Sequence, residues 1–312
     1  MKSLVSGATG YIGRHLCRQL LVRGDSLIAL SKSGAELAGG IPTLPLDLAQ
    51  SMPAPEQLAG VDVVYHLAGI AHQKAPAPAY RALNQLATLR LARQAAAAGV
   101  GCFVFLSSVK AMGPATTGTE RSELMCATPT DPYGLSKWQA EESLREEFRG
   151  SPMKVVILRP TLVYGPAAKG NLALLSKGVR MGLPRPPAIG SRSMVAVADL
   201  VELMCMAGGD TGPGVHTWIV ADGERYSTRF IYDQLRTASG RTVGRAWLPT
   251  AGWRVAAALL DGLAGTRNDS TFDKLFGTEL YSNRAALAET TWQPRTRLSD
   301  IAAALMTAGE GA

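Results

Sequence analysis

A glycine-rich turn between a short strand and a helix, at the start of the chain, constrains the fold more than any other feature. The pattern of residues 2–6 is typical of a buried strand, Gly7, Gly10 and Gly13 follow at a spacing of three, and residues 11–23 have a helical pattern. Glycine lets the backbone turn tightly and approach a pyrophosphate, and N–H groups at a helix N-terminus attract the anion. Strand, glycine turn and helix in this order predict a dinucleotide site, with an ordinary glycine turn as the alternative. The residues expected to line it are Gly7, Thr9, Gly10, Tyr11, Ile12 and Gly13.

Strand-like and helix-like segments alternate as far as about residue 165, which is typical of parallel βαβ units. Strands are predicted at 2–6, 26–30, 62–66, 102–107 and 154–158, and helices at 11–23, 78–98 and 133–149. We therefore expect an α/β fold, a Rossmann-type doubly wound parallel sheet with a smaller C-terminal substrate lobe. The expected dinucleotide-binding domain is 1–165 with a returning segment at about 192–221, and the expected substrate lobe is 166–191 together with 222–312.

Tyr133 and Lys137 are four residues apart in a predicted helix, so their side chains share one face. An ammonium beside a phenol stabilises phenolate, which predicts that the pKa of Tyr133 falls from its usual value of about 10. A tyrosine of this kind can exchange a proton with an alcohol or ketone oxygen. Ser108, at the end of a predicted strand, is placed to share that oxygen. A half-buried tyrosine, a solvated lysine and a turn serine are the structural alternatives.

Composition narrows the class of protein. The four cysteines are scattered without a C-x-x-C pair and the four histidines lack metal-ligand spacing, so no metal site is predicted. The formal net charge is +7, but lysine and arginine are spread along the chain, which favours an anionic small ligand over nucleic acid. No apolar run reaches the ~18–20 residues that a membrane span needs. Residues 253–260 are expected to form a helix packed in the C-terminal lobe rather than one on a membrane surface. The N-terminus has no signal-peptide pattern, and we expect a cytoplasmic protein.

Together these residues resemble the short-chain dehydrogenase/reductase superfamily, in its extended branch of nucleotide-sugar epimerases, reductases and dehydratases. Residues 63–69, Asn84, residues 158–166 and Arg192 are similar to further segments of that branch. The resemblance implies a cofactor that contacts Leu67, Ala68, Gly69, Tyr133, Lys137 and Pro160, with Asp47 and Leu48 near its adenine. It implies a UDP-sugar that contacts Ser108, Tyr133, Asn171 and Arg192, while Lys110 either reaches the sugar or is solvated. It also implies a homodimer that pairs helices at about 78–98 and 133–149.

The second predicted strand decides the expected cofactor. In members of the branch that prefer NAD, an acid at the end of this strand binds the ribose 2′-hydroxyl. Here Ser31 and Lys32 follow residues 26–30, and no carboxylate stands there. A hydroxyl and an ammonium suit a 2′-phosphate, so NADP(H) is favoured and NAD(H) is the alternative.

The positions after the active-site serine narrow the reaction. Dehydratases of the branch carry an Asp-Glu pair there, whereas this chain has Val109 and Lys110. A 4-ketoreductase and a 4-epimerase therefore remain. The local sequence around Ser108, Tyr133 and Pro160 resembles that of bacterial enzymes of surface-polysaccharide (O-antigen) synthesis. Those enzymes reduce UDP-4-keto-6-deoxy-N-acetylhexosamines. The favoured hypothesis is an NADPH-dependent 4-reductase, and the alternative is an NAD-dependent UDP-sugar 4-epimerase. A non-catalytic dinucleotide-binding sensor is a third hypothesis.

Overall fold

The computed structural model describes residues 1–71, 75–114, 118–167, 171–209, 212–264 and 270–307. Its strands are β1 Lys2–Ser6, β2 Ser26–Ser31, β3 Leu44–Pro45, β4 Val63–His66, β5 Cys102–Leu106, β6 Lys154–Pro160, β7 Leu162–Tyr164, β8 Ser191–Arg192, β9 Met194–Ala196, β10 Val215–Val220 and β11 Thr278–Glu279. Its helices are α1 Tyr11–Val22, α2 Pro55–Leu58, α3 Ala77–Tyr80, α4 Ala87–Ala97, α5 Pro132–Phe148, α6 Asn171–Arg180, α7 Val197–Ala207, α8 Thr228–Ala238, α9 Thr250–Ala264, α10 Thr271–Phe276, α11 Arg284–Glu289 and α12 Leu298–Thr307. A π-helical stretch, Arg81–Leu86, joins α3 to α4, and a 3₁₀ turn, Val109–Met112, follows β5.

The centre of the molecule is a parallel sheet of seven strands in the order β3-β2-β1-β4-β5-β6-β10. The strand order reverses between β1 and β4, and in sheets of this type the ligand crevice opens beyond the carboxyl ends of the strands at that point. The expected α/β fold with a doubly wound parallel sheet is therefore confirmed.

Both faces of the sheet are buried, because successive side chains of a strand point to opposite sides. Val5 and Tyr65 pack on one side with residues of α1 and α7, while Leu4 and Val64 pack on the other side with residues of α4 and α5. The neighbouring β5 is a continuous apolar run for this reason, which is typical of strands covered by helices on both faces.

The C-terminal part of the chain is joined to the sheet by buried contacts. Trp292, which is fully buried, donates from Nε1 to the carbonyl oxygen of Asp199 in α7 at 2.9 Å. The carboxylate of Asp199 accepts from the backbone N–H of Thr296 at 3.0 Å and from its hydroxyl at 3.1 Å. Glu289, at the end of α11, accepts from Nε1 of Trp218 in β10 at 3.0 Å. The division into two lobes stays a prediction, but these contacts show that residues 289–296 pack on both α7 and β10, the edge strand of the sheet.

Helix α9 packs on another helix of the C-terminal part of the chain, as expected, but by one face only. Trp253 and Ala257 are buried, and the Trp253 ring lies 5.6 Å from that of Phe276 in α10. Val255 and Leu259, however, are 61% and 66% exposed. Over the described residues, no helix is long and apolar enough to cross a membrane.

Candidate active site

The glycine turn lies against the end of β4. Gly7 has φ +72°, and a Cβ built on it would lie 2.7 Å from the backbone nitrogen of Ala68. A Cβ on Gly13 would lie 2.2 Å from the carbonyl oxygen of Gly7. Only glycine fits these two positions, and the tight turn leaves α1 beginning at the crevice.

The N-terminus of α1 has the properties of a diphosphate site. Gly10 is its N-cap, no side chain caps it, and its first turn contains no acidic residue. Its first N–H groups therefore point outward without a side-chain partner, as anion binding requires. Ile12 lies half-buried in the first turn, and Thr9, in the glycine turn before it, accepts at its carbonyl oxygen from the Arg14 guanidinium at 2.8 Å. The residues present thus fit the pyrophosphate of a dinucleotide.

Tyr11 lies between this turn and Gly165, the residue that follows β7. Its hydroxyl is buried without a hydrogen-bond partner among the described residues, and it lies 2.5 Å from the position of a Cβ on Gly165. Burial raises the pKa of Tyr11 to about 12. Pro160, which ends β6, is buried at the same end of the sheet.

At the end of β2 the structure changes part of the sequence-based interpretation. Ser31 is buried, its hydroxyl lies 2.7 Å from that of Thr43, and its oxygen accepts from the backbone N–H of Gly34 at 2.9 Å. These two bonds within the loop engage the Ser31 hydroxyl in this structure, and its contact with a 2′-phosphate stays a prediction. Lys32 is 81% exposed and lies 2.9 Å from Asp47, which lowers the pKa of that carboxyl. Leu48 is buried beside it.

Ser108 and Tyr133 are brought together by two adjacent turns. Ser108 is the N-cap of the 3₁₀ turn and accepts from Lys110 N at 3.2 Å. Asp131 is the N-cap of α5 and accepts from Gly134 N at 2.8 Å, where a Cβ on Gly134 would lie 2.6 Å from the carbonyl oxygen of Lys110. This glycine lets the start of α5 approach the 3₁₀ turn, so that the phenol of Tyr133 comes near the Ser108 hydroxyl.

Lys137 lies in the crevice between the ends of β4 and β5. Its Nζ donates to the carbonyl oxygen of Leu106 at 2.8 Å and lies 4.6 Å from the centre of the Phe105 ring. A Cβ on Gly69 would lie 3.5 Å from the same Nζ. Leu67 precedes Gly69 and donates from its backbone N–H to Ser6 O at 3.1 Å. The predicted serine, tyrosine and lysine, and the residues after β4, therefore surround one crevice.

The protonation of this group differs from the sequence-based expectation. Burial raises the pKa of Tyr133 to about 12, against a smaller lowering effect of the hydrogen bond with Ser108. Burial also lowers the pKa of Lys137 to about 8, and Glu141 opposes that change. The prediction of a lowered tyrosine pKa is wrong for this structure, because loss of hydration outweighs any help from the lysine. At neutral pH the site therefore holds a protonated phenol.

The lowered pKa of Lys137 gives folding stability a pH dependence. Between about pH 8 and pH 10.5 the folded chain holds Lys137 neutral while the unfolded chain keeps it protonated. The unfolded state then binds more protons, so the free energy of unfolding rises with pH in this window. We expect the wild type to gain stability relative to Lys137→Met across it, and to show a constant difference below it. Urea unfolding followed by circular dichroism measures this, with exposed Lys177→Met as the control. A difference that does not change with pH would contradict the prediction.

A buried polar chain, which sequence reasoning found only at Asn84, supports the crevice from below. His66 lies 2.7 Å from the Ser6 hydroxyl and 2.9 Å from that of Thr88, and burial lowers its pKa to about 3. The Asn84 side chain accepts from Ile70 N at 2.8 Å and donates to the Ser136 hydroxyl at 3.0 Å. Asn84 sits in the π-helical stretch, a feature that is frequent at functional sites. These bonds fix residues 67–70 relative to α5.

A second polar group, centred on Glu141, was not predicted. Glu141 lies one helical turn after Lys137, is fully buried, and accepts from Arg159 Nη2 at 2.6 Å and from Arg145 Nη2 at 2.8 Å. It also accepts from the Ser107 hydroxyl. Glu141 therefore ties α5 to the residue before Ser108 and to the residue before Pro160. The glutamate four residues after the lysine was the one signal in the sequence.

The predicted substrate residues are only partly brought together. Arg192 pairs in register with Glu279 between β8 and β11, and its Nη2 donates to Lys274 O at 2.6 Å and Leu275 O at 3.1 Å. Lys110 is exposed and its Nζ lies 3.3 Å from Glu279. Glu279 thus joins the 3₁₀ turn to the strand pair that carries Arg192. Asn171 begins α6, and its side chain lies outside the described part of the structure. Among the described residues, no group of three or more His, Cys, Asp or Glu is placed to hold a metal ion.

This chain is similar to known proteins in both sequence and fold. The family described as "NAD dependent epimerase/dehydratase family" matches residues 3–220. A UDP-glucose 4-epimerase of Vibrio cholerae is 31% identical over 84% of this chain and 85% of its own. A 2-alkyl-3-oxoalkanoate reductase of Stenotrophomonas maltophilia is 28% identical over 77% and 76%. The structure of a Bacillus cereus UDP-glucuronic acid 4-epimerase in complex with NAD has a similar fold, with a TM-score of 0.76 at 22% identity over 97% of this chain and 94% of that one.

Proposed function

We propose, on the premise that this chain belongs to the NAD dependent epimerase/dehydratase family, that it is a nucleotide-sugar 4-ketoreductase. In this proposal it uses NADPH to reduce the C4 ketone of a UDP-4-keto-6-deoxy-N-acetylhexosamine to the UDP-6-deoxy sugar. Its crevice has the serine, tyrosine and lysine of carbonyl–alcohol chemistry, which supports an enzyme over a non-catalytic sensor. The proposed end use, synthesis of a surface polysaccharide, rests on the resemblance of the segments around these residues.

The observation that carries the choice of a reductase is the cation at the end of β2. No carboxylate follows Ser31 there, and the adjacent Lys32 is exposed. An acid at this position favours the 2′-hydroxyl of NAD, whereas a cation favours the 2′-phosphate of NADP. Since the Ser31 hydroxyl is engaged by Thr43 and Gly34, the argument rests on Lys32, whose present partner at 2.9 Å is the carboxylate of Asp47. An NADP-type cofactor suits net reduction, in which the oxidised cofactor leaves after each turnover.

The proposed roles follow from the contacts in the crevice. When bound, the reduced nicotinamide supplies the hydride. Tyr133 gives its proton to the sugar O4, and the hydroxyl of Ser108 hydrogen bonds to that oxygen. The raised pKa of Tyr133 keeps the phenol protonated at neutral pH, which suits a proton donor to an alkoxide. Lys137 offers a hydrogen-bond donor in the same crevice and is positively charged below its pKa of about 8. In a site without water this charge stabilises the negative charge that develops on the sugar oxygen.

The sugar nucleotide is proposed to lie between the 3₁₀ turn and β8. Arg192 is the residue proposed for the diphosphate, since a planar guanidinium suits phosphate oxygens. Its present partners are two backbone carbonyls, which a phosphate can replace as acceptor. Lys110 stands two residues after Ser108 and is proposed to border the sugar. The proposed contact of Asn171 with the diphosphate rests on the family resemblance alone.

One specific observation favours a second candidate, an NAD-dependent UDP-sugar 4-epimerase. The Vibrio cholerae protein that is 31% identical to this chain is described as a UDP-glucose 4-epimerase. An epimerase keeps its cofactor and returns the hydride to the same substrate, so the two candidates differ in net cofactor use.

A spectrophotometric assay separates the candidates. The purified protein is mixed with UDP-4-keto-6-deoxy-GlcNAc and either NADPH or NADH, and loss of the reduced-nicotinamide absorbance is followed. Stoichiometric loss with NADPH and little with NADH supports the reductase. No loss with either, together with interconversion of UDP-glucose and UDP-galactose or their N-acetyl forms without added cofactor, overturns it in favour of the epimerase.

Lys32→Met tests the cofactor argument. A charged hydrogen bond to the 2′-phosphate is worth about 1.5–3 kcal/mol, so we expect KM for NADPH to rise roughly tenfold or more. KM for NADH should change little, because that cofactor has no 2′-phosphate. Arg18→Met, which removes an exposed cation from α1, is the control for a general loss of positive charge. Equal changes for both cofactors would show that Lys32 does not contact a 2′-phosphate.

A further inference from the structure

The stretch from Arg241 to Leu260 combines positive charge with apolar side chains. It contains three arginines, Arg241, Arg245 and Arg254, and no aspartate or glutamate. The first acid after it, Asp261, is directed toward α10, where its carboxylate accepts from the backbone N–H of Thr271 at 3.1 Å. We call residues 241–260 the cationic apolar segment.

Much of this segment faces solvent. Trp247 is 71% exposed and Leu260 is 56% exposed, and Val255 and Leu259, four residues apart, share one exposed face of α9. The opposite face contains the buried Trp253 and Ala257, and the Trp253 ring packs on Phe276 of α10. Val255 and Leu259 thus place adjoining apolar side chains on the solvent-facing side of α9, and an exposed apolar patch marks an interaction site.

The charges of the segment select the partner. Arg245 is exposed beside Trp247, and Arg254 is exposed in the first turns of α9, above the Phe272 ring at 4.8 Å. Exposed tryptophan, valine and leucine together with arginine, in a stretch without acids, are the features of segments that lie in the interface of an anionic bilayer. The alternative partner is a second copy of the chain. In a symmetric dimer the same surface of both copies meets, so the three arginines of one copy would face the three of the other. Like charges would then oppose such a contact.

We propose that the cationic apolar segment docks the protein on an anionic lipid surface. The apolar side chains of Trp247, Val255, Leu259 and Leu260 enter the boundary between headgroups and acyl chains. Arg241, Arg245 and Arg254 meet the lipid phosphates. α9 lies along the surface without crossing it, and the contact is independent of the reaction proposed above.

Sedimentation with lipid vesicles tests the proposal on the full chain. The protein is spun with sucrose-loaded vesicles of phosphatidylglycerol and phosphatidylcholine, and with vesicles of phosphatidylcholine alone. We expect binding to the anionic vesicles that salt weakens, and little binding to the neutral ones. Leu259→Glu should lower the partition coefficient roughly tenfold, because it places a charge in the apolar face. Arg241→Gln and Arg245→Gln should each lower it about fivefold, since a cation near such a surface is worth about 1 kcal/mol.

Val22→Glu is the matched control, since Val22 is a 74% exposed apolar residue at the end of α1. It should leave vesicle binding unchanged. The substituted positions are exposed, and unchanged melting curves will verify that each variant is folded. The proposal is overturned if the wild type does not bind anionic vesicles, or if the variants bind as the wild type does. It is also overturned if light scattering shows a dimer that Leu259→Glu dissociates while vesicle binding is absent, because a second copy would then cover this face.

Discussion

Replacing Tyr133 by phenylalanine is expected to lower turnover by roughly 10²–10⁴-fold, the usual contribution of a positioned proton donor. The Tyr133 phenol is held beside Ser108, in the crevice that also receives Lys137, and burial keeps it protonated with a pKa of about 12. Phenylalanine preserves the ring and its packing near Tyr80 but removes the only proton that the tyrosine can give. The loss should therefore appear in kcat, with KM for the sugar nucleotide changed much less.

Steady-state kinetics on the proposed keto-sugar with NADPH measures this change. Tyr232→Phe is a suitable control, because it removes the hydroxyl of another buried tyrosine, one that donates to Leu183 O at 2.8 Å in the C-terminal part of the chain. That variant should keep the wild-type kcat. If Tyr133→Phe is folded and retains near-wild-type turnover, another group donates the proton and the proposed role of Tyr133 is wrong.

Replacing Glu141 by alanine is expected to destabilise the fold by about 3–5 kcal/mol, the usual cost of breaking a buried ion pair from one side. Glu141 is fully buried and Arg159 is 2% exposed, so the alanine would leave the guanidinium without its counter-ion and without water. Part of the loss would fall on the crevice, because Glu141 also accepts from the hydroxyl of Ser107, the neighbour of Ser108. Urea unfolding followed by circular dichroism gives the free energy directly.

Glu142 supplies the control for this second prediction. It is the next residue of α5 and also pairs with Arg145, at 2.5 Å, but its side chain is 53% exposed. An exposed ion pair contributes about 0–1 kcal/mol, so Glu142→Ala should differ from the wild type by no more than that. A Glu141→Ala variant as stable as Glu142→Ala would show that Arg159 finds other partners when Glu141 is lost.

The parts of the fold that sequence predicts well are those with local causes. Gly7 and Gly13 are needed where backbone meets backbone within one turn, and the apolar runs of β4, β5 and β6 reflect burial on both faces. The spacing of Tyr133 and Lys137 follows from helix geometry alone. These features depend on neighbours in the chain, so a single sequence contains the information that fixes them.

The parts that sequence misses depend on contacts between distant segments. The pKa of Tyr133 rises because other elements cover it, and helix spacing carries no information about that burial. The Ser31 hydroxyl bonds with that of Thr43, twelve residues later, and Lys110 donates to Glu279, which is 169 residues away. Arg159 and Glu141 are ordinary charged residues in the sequence, and only the fold shows them to be a buried pair.

The burial of Trp292 against α7 bears on how such proteins acquire new specificities. Its indole and Thr296 are both held by Asp199, and Glu289 is held by β10, so residues 284–297 complete the half of the molecule that carries the sheet. A chimera that takes its whole C-terminal region from a relative would remove this support along with the part proposed to bind the sugar nucleotide. Recombination at residue 220 would thus yield an unstable hybrid. A graft that ends before α11 instead keeps the recipient's own residues 284–297 and their contacts with α7 and β10. The boundary of an exchangeable module therefore lies within the C-terminal region, well past the last strand of the sheet.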